Sequence, residues 1–115
     1  MHLFGIPNCN TVKKARDWLA QHSIDYTFHD FKKEPPTEVL LNTWLAQLPW
    51  KTLINRTGMT WRNLTDDEKA AVKDNASAIQ LMMAKSSVIK RPVLVSNDQI
   101  IYIGFDETIY TARLS

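Results

Sequence analysis

The chain has 115 residues, about the size of one ordinary domain, with 44% apolar and 23% charged side chains, a balance that belongs to soluble globular proteins rather than to disordered chains. Its formal net charge of +2 is too small to argue for direct nucleic-acid binding. No run approaches the roughly 18 apolar residues that cross a bilayer, and the start lacks the basic segment and long apolar run of a signal peptide, so no membrane contact and a cytoplasmic location are expected.

Leu3-Phe4-Gly5-Ile6 reads as a short buried strand that Pro7 ends. From Asn10 or Thr11 to His22 the pattern is helical, with Val12, Ala15 and Leu19 on one face and Trp18 beside them. Asn10 or Thr11 can cap that helix and leave Cys9 just outside it. Ile24 to His29 then alternates apolar and polar residues, the pattern of a half-buried strand. A β-α-β unit follows, which makes the first two strands parallel.

Lys32-Lys-Glu-Pro-Pro36 is a break. Pro36 or Thr37 opens a helix to about Leu48, with Val39, Leu40, Thr43, Trp44 and Leu48 as its apolar face and Pro49 as its end. Thr57-Gly58 is a turn before a short helical piece around Trp61. Thr65-Asp-Asp-Glu68 has the form of a capping box and opens another helix. Asn75 separates it from a helix over 76–85, whose Met82 and Met83 read as core. Pro92 to Ser96 and Gln99 to Ile103 flank Asn97-Asp98, a strong hairpin signal. A last helix runs from Asp106 to about Leu114.

Cys9 is the only cysteine, so no internal disulfide forms and no cysteine-based zinc site can be read. His2, His22 and His29 have no metal-ligand spacing. Gly5, Pro7, Asn8 and Asn10 make the surroundings of Cys9 a loop rather than a core segment. A thiol at the start of a helix meets unpaired backbone N–H groups and a partial positive charge. Both favour the thiolate, the form that attacks disulfides and oxyanions.

Three segments, Ile6-Pro-Asn-Cys9-Asn-Thr-Val-Lys-Lys-Ala15, Leu53-Ile-Asn-Arg56-Thr-Gly58 and Arg91-Pro92-Val-Leu94, stand in order along the chain. Together they resemble the ArsC/Spx/YffB family, most closely the YffB branch, whose members are regarded as glutathione-dependent thiol reductases. The resemblance covers essentially the whole chain. It implies an α/β, thioredoxin-like fold with a mixed four-stranded sheet and a helical insertion. It also implies a single ArsC-like domain over 1–115, with 1–31 and 88–115 as the thioredoxin-like part and 35–86 as the insertion.

The same resemblance carries roles to particular residues. Cys9 matches the nucleophilic cysteine, with Asn10 and Thr11 beside it in the substrate-binding segment. Arg91 matches an arginine that faces the thiolate and binds substrate. Pro92 matches the cis-proline that shapes the substrate groove, and Arg56 is the best match for a second substrate-binding arginine. A guanidinium near Cys9 would stabilise the thiolate and could clamp a carboxylate or an oxyanion.

Departures narrow the chemistry. Val12 stands where glutaredoxin and Spx types carry a second cysteine, so turnover is expected to be monothiol, with an external thiol regenerating Cys9. Gly5 replaces a histidine of the arsenate reductases, and Gly104 stands where they place a third arginine. The expectation is therefore a glutathione-dependent monothiol reductase with no bound cofactor or metal. Glutathione or another small thiol or oxyanion would be its substrate, and glutaredoxin a candidate partner. The alternatives are a Spx-like regulator that contacts RNA polymerase, and an arsenate reductase proper.

Overall fold

Residues Met1–Leu114 are described by a computed structural model. The chain divides into two compact units, Met1–Glu34 with Arg91–Ser115 and Pro35–Lys90.

The first unit is built on a four-stranded sheet in the order β2-β1-β3-β4. Its strands are β1 (His2–Gly5), β2 (Thr27–Asp30), β3 (Val93–Ser96) and β4 (Gln99–Ile103). β1 pairs parallel with β2 and antiparallel with β3, and β3 pairs antiparallel with β4, so the sheet is mixed as expected. The register aligns Phe28, Leu3, Leu94 and Tyr102 across the four strands. Because strand side chains alternate between faces, this row shares one face. Against it pack Ala15, Trp18 and Leu19 of α1 (Asn10–Gln21) and Tyr110 of α7 (Glu107–Leu114). Full burial of residues such as Leu3, Leu19 and Leu94 stabilises the unit by roughly 1.5–3 kcal/mol each. Arg113 of α7 donates to the Ile101 carbonyl on the edge strand β4, which covers part of an otherwise unpaired edge.

α1 ends in a left-handed residue, Ser23 at φ 55°. The Ile24 N–H bonds the Leu19 carbonyl at 3.0 Å and the Ser23 N–H bonds the Ala20 carbonyl at 3.1 Å, the paired closure that satisfies a helix C-terminus. The hairpin turn is equally literal: Asn97 and Asp98 both have positive φ, 52° and 64°, which the favoured two-residue hairpin turn requires and these residue types tolerate.

Several boundaries differ from expectation: β1 covers His2–Gly5 rather than 3–6, the helix after Thr37 ends at Leu45 rather than near Leu48, and Asn75 opens a helix instead of separating two. β2 begins at Thr27 rather than Ile24, because β1, its pairing partner, starts at His2 and offers no ladder further back. Residues 24–26 are irregular, yet Ile24 and Tyr26 still pack on the core, which explains their alternating pattern. Cys9 itself, not Asn10 or Thr11, is the N-cap of α1.

The second unit is helical: α2 (Glu38–Leu45), α3 (Trp50–Leu53), α4 (Met59–Arg62), α5 (Asp66–Ala71) and α6 (Asn75–Ala84), then a 3₁₀ turn at Ser86–Val88. Its core holds Leu41, Trp44, Leu45, Leu53, Ile54, Leu64, Ala78, Ile79, Met82, Val88 and Ile89. α2 turns a different face inward than expected: Leu41, Trp44 and Leu45 are buried, while Val39 is 77% exposed. The methionine pair also splits, with Met82 buried and Met83 exposed. The capping box at Thr65 and Glu68 forms as the sequence indicates, and a second one joins Asp74 and Ser77 at the start of α6.

Candidate functional site

Cys9 is placed by the turn between β1 and α1. Ile6 is buried, Pro7 and Asn8 are exposed, and Cys9 is partly exposed. Its backbone is extended (φ −116°, ψ 125°), and its carbonyl accepts the Lys13 N–H at 2.9 Å. Those are the properties of an N-cap, a residue half inside the helix whose side chain lies over the unpaired first-turn amides. The thiol makes no capping hydrogen bond of ordinary geometry. Its contacts with the Val12 and Thr11 N–H groups are looser charge–dipole contacts that strengthen when sulphur is ionised.

Arg91 supplies the full charge. β3 runs antiparallel to β1 with Val93 opposite Phe4, and continuing that register brings Arg91 alongside Ile6, at the entrance to the Cys9 turn. The Arg91–Pro92 peptide is cis. Pro92 is buried, and its carbonyl accepts the Gly104 N–H at 2.8 Å. The Arg91 guanidinium reaches the Cys9 sulphur as a hydrogen-bond donor.

Several influences act on the thiol. Partial burial is the largest single one and pushes the Cys9 pKa up. The Val12 N–H, the Arg91 hydrogen bond, the Thr11 N–H and the Arg91 charge together outweigh it, so Cys9 ionises more readily than an ordinary thiol. A partly exposed thiolate beside a guanidinium is equipped for nucleophilic attack on sulphur or on an oxyanion centre.

Asn10 and Thr11 are both exposed on the first turn of α1, and what reaches Cys9 from Thr11 is its backbone N–H. The structure thus gathers Cys9, Thr11, Arg91 and Pro92 around one turn of the first unit. Arg56 belongs to the second unit, where it is exposed. There the Asn55 Oδ1 accepts the Thr57 N–H at 3.2 Å and the Thr57 hydroxyl at 2.9 Å, closing a tight turn over Arg56. Gly58 follows, where a Cβ would lie 2.8 Å from the Asn55 Nδ2; the turn needs glycine for that close approach.

One contributor was overlooked in the sequence: the Val12 amide. Its signal was present, since the third helical residue after an N-cap is the one whose N–H meets the cap side chain. Val12 is also fully buried, and a Cβ on Gly5 would lie 2.8 Å from its Cγ2. Gly5 and Val12, two of the departures noted in the sequence, are therefore mutual packing partners. Among the described residues, no three His, Cys, Asp or Glu side chains cluster in a way that could hold a metal ion. No helix among the described residues is long and apolar enough to cross a membrane.

A mixed four-stranded sheet that enters its first helix through a cysteine N-cap, and its third strand through a cis-proline, has the thioredoxin-like architecture of arsenate-reductase-like proteins. The model of the ArsC family matches residues 4–112, and the chain belongs to that family. An uncharacterized protein of Haemophilus influenzae is 36% identical to it over 113 residues, 98% of this chain and 97% of that protein. The global transcriptional regulator Spx of Streptococcus pyogenes is 28% identical over 116 residues, 98% of this chain and 84% of the regulator. Among solved structures, a YffB protein superposes with a TM-score of 0.92 at 43% identity, covering 99% of this chain and 98% of its own. An arsenate reductase (ArsC) related protein from Brucella melitensis gives a TM-score of 0.77 at 47% identity, covering 96% and 91%.

Proposed function

We propose that the protein is a cytoplasmic, glutathione-dependent monothiol reductase with Cys9 as its nucleophile. The observation that carries this reading is the placement of a partly exposed Cys9 at the N-cap of α1, facing the first-turn amides and the Arg91 guanidinium, which favour its thiolate. The Cys9 thiolate attacks the glutathione sulphur of a mixed disulfide between substrate and glutathione. A new sulphur–sulphur bond to Cys9 forms as the old one breaks, and the other sulphur leaves as a thiolate that takes a proton. A second glutathione thiolate then attacks the Cys9 disulfide, releases the Cys9 thiolate and forms oxidised glutathione. Two electrons pass from glutathione to substrate, and Cys9 ends as it began. With Val12 at the position of a resolving cysteine, the second thiol must come from outside the chain.

In this reading Arg91 lowers the pKa of the attacking sulphur and holds an anionic group of the substrate. Pro92 walls the groove, and Asn10 and Thr11 bind at its rim. Arg56, on the second unit, is an anion-binding residue. Glutaredoxin is a candidate partner in regeneration. The test measures Cys9 alkylation by iodoacetamide against pH, with and without glutathione, alongside glutathione-driven reduction of hydroxyethyl disulfide by wild type and Cys9→Ser. A reactivity midpoint below the free-thiol range of about 8.5, protection by glutathione and loss of turnover in Cys9→Ser are expected. Turnover that survives Cys9→Ser overturns the mechanism.

A second reading rests on the likeness to Spx over nearly the whole chain: a regulator that contacts RNA polymerase without the two-cysteine redox switch. Retention of polymerase subunits on the immobilised protein supports it, and a clean negative removes it. Arsenate reduction, the third reading, rests on the likeness to the Brucella protein. It would be revived by arsenite formation with glutathione and glutaredoxin.

A further inference from the structure

The second unit holds a cleft of its own, of about 430 Å³, lined by Lys51, Asn55, Arg56, Trp61 and Lys90 among others. Three of these side chains are cations and none is acidic. Lys51 and Arg56 lie five residues apart in sequence, and Lys90 is brought to them by backbone pairing. Ile54 and Ile89 form an antiparallel bridge. On either side of it the Lys90 N–H donates to the Leu53 carbonyl and the Asn55 N–H to the Val88 carbonyl, both at 2.8 Å. Lys90 is thereby fixed next to the segment that leads into Arg56, while the Asn55–Thr57 hydrogen bonds hold the Arg56 turn itself. Lys51 comes from α3, its ammonium 5.8 Å from the centre of the Trp50 ring.

Like charges gathered in one concavity raise the local positive potential and repel each other unless a counter-charge intervenes. Among the described residues, Lys51, Arg56 and Lys90 have no carboxylate within ion-pair distance. Asn55 and Thr57, the neutral polar groups at the rim, are engaged with one another, and Trp61 supplies a flat apolar wall.

We propose that this cleft is a recognition site for a small polyanion, a molecule carrying at least two separated negative groups, with Lys51 and Lys90 as its specificity-determining residues. The proposal deepens the reading of Arg56 as an anion-binding residue and rests on it. A single carboxylate or a small oxyanion satisfies one guanidinium in fork geometry; three cations on three separate segments call for charges spread along a longer ligand.

The probe is citrate, with acetate as the monoanion control, each at constant ionic strength. Amide and tryptophan side-chain resonances are followed by heteronuclear NMR in wild type, Lys51→Gln, Lys90→Gln and Lys69→Gln, the last lying on α5 outside the cleft. Saturable shifts at Asn55, Arg56 and Trp61 are expected with citrate and not with acetate. The citrate affinity should fall about three- to fivefold in each of Lys51→Gln and Lys90→Gln, and stay unchanged in Lys69→Gln. Equal response to acetate, shifts that never saturate, or full affinity in both cleft variants overturns the proposal. Hydroxyethyl disulfide turnover by the same variants separates the two readings. Normal turnover with lost citrate selectivity leaves the reductase intact, whereas citrate binding without any turnover removes the reductase and keeps the cleft.

Discussion

Replacing Arg91 with Gln removes one of the two kinds of group that lower the Cys9 pKa, and the size of the effect follows from where the two residues sit. A hydrogen bond to a charged group contributes about 1.5–3 kcal/mol when shielded from water. Cys9 and Arg91 are both partly exposed, so solvent screening reduces that to about 1 kcal/mol. The thiolate population at a pH below the midpoint then falls about fivefold. The remaining thiolate is more basic and intrinsically more nucleophilic, with a Brønsted coefficient of about 0.4–0.5 that returns roughly half of the loss on a logarithmic scale. Alkylation by iodoacetamide should therefore slow two- to threefold or so near neutral pH. It should become about twofold faster than wild type at high pH, where both thiols are ionised. The two pH profiles must cross. Arg91→Lys, which keeps the charge and loses the fork, should lie between them. Superimposed profiles, or a midpoint that moves to lower pH in Arg91→Gln with the fold intact by circular dichroism, would refute this electrostatic account.

Other expectations concern stability. Serine is a better N-cap than most residues, so Cys9→Ser should keep the fold and be more stable near neutral pH, as read by denaturant unfolding. The sign of its pH dependence is fixed by the lowered thiol pKa of Cys9. The thiolate's contribution is complete above the unfolded thiol value and is lost as pH falls through the folded one, so the advantage of Cys9→Ser should shrink as pH rises toward 9 and beyond. Gly5→Ala drives a Cβ to 2.8 Å from the Val12 Cγ2 and should cost about 1–3 kcal/mol; adding Val12→Ala should recover part of that, and simple additivity in the double-mutant cycle would count against the contact. Tyr110 is fully buried in edge contacts with Trp18 and Phe105, and its hydroxyl bonds the Gly104 carbonyl at a long 3.4 Å. Tyr110→Phe should therefore cost under about 1 kcal/mol, against several kcal/mol, about 3–5, for Tyr110→Ala. Thr65→Ala, which opens the capping box of α5, should lower stability by about 1 kcal/mol in thermal unfolding.

The features legible in the sequence were those that local chemistry dictates. Asn97-Asp98 announced the hairpin because few other pairs tolerate two positive φ angles in succession. Thr65 and Glu68 announced their helix because a capping box is complete within four residues. What escaped depended on partners distant in sequence. The start of β2 is set by where β1 begins, and the inward face of α2, where Leu41, Trp44 and Leu45 are buried and the equally apolar Val39 is not, is set by the elements around it, α6 among them. α3, four residues after Pro49, is too short for any periodicity to reveal. At the site, Cys9 stood out by type and place, whereas its role as the N-cap itself, and the part played by the Val12 amide, are facts of backbone geometry. Arg91 and Pro92 were singled out through family resemblance; composition and spacing alone would have left an arginine at a strand end.

The order of strands along the chain has a consequence for biogenesis. β1 leaves the ribosome first, but its antiparallel neighbour β3 lies beyond the whole of Pro35–Lys90. Until Val93–Ser96 is synthesised, β1 and β2 form at most a two-stranded parallel ribbon, which is marginal by itself. The intervening helices need no such wait, since their capping boxes and the Ile54–Ile89 bridge all lie within their own stretch. Synthesis therefore favours a nascent chain whose middle acquires structure before its beginning does. During that interval the Cys9 segment is tethered but not yet shaped, and its thiol has neither the Arg91 guanidinium, still to be synthesised, nor a stable helix end to ionise it. Reactivity arrives late, with the closing of the sheet.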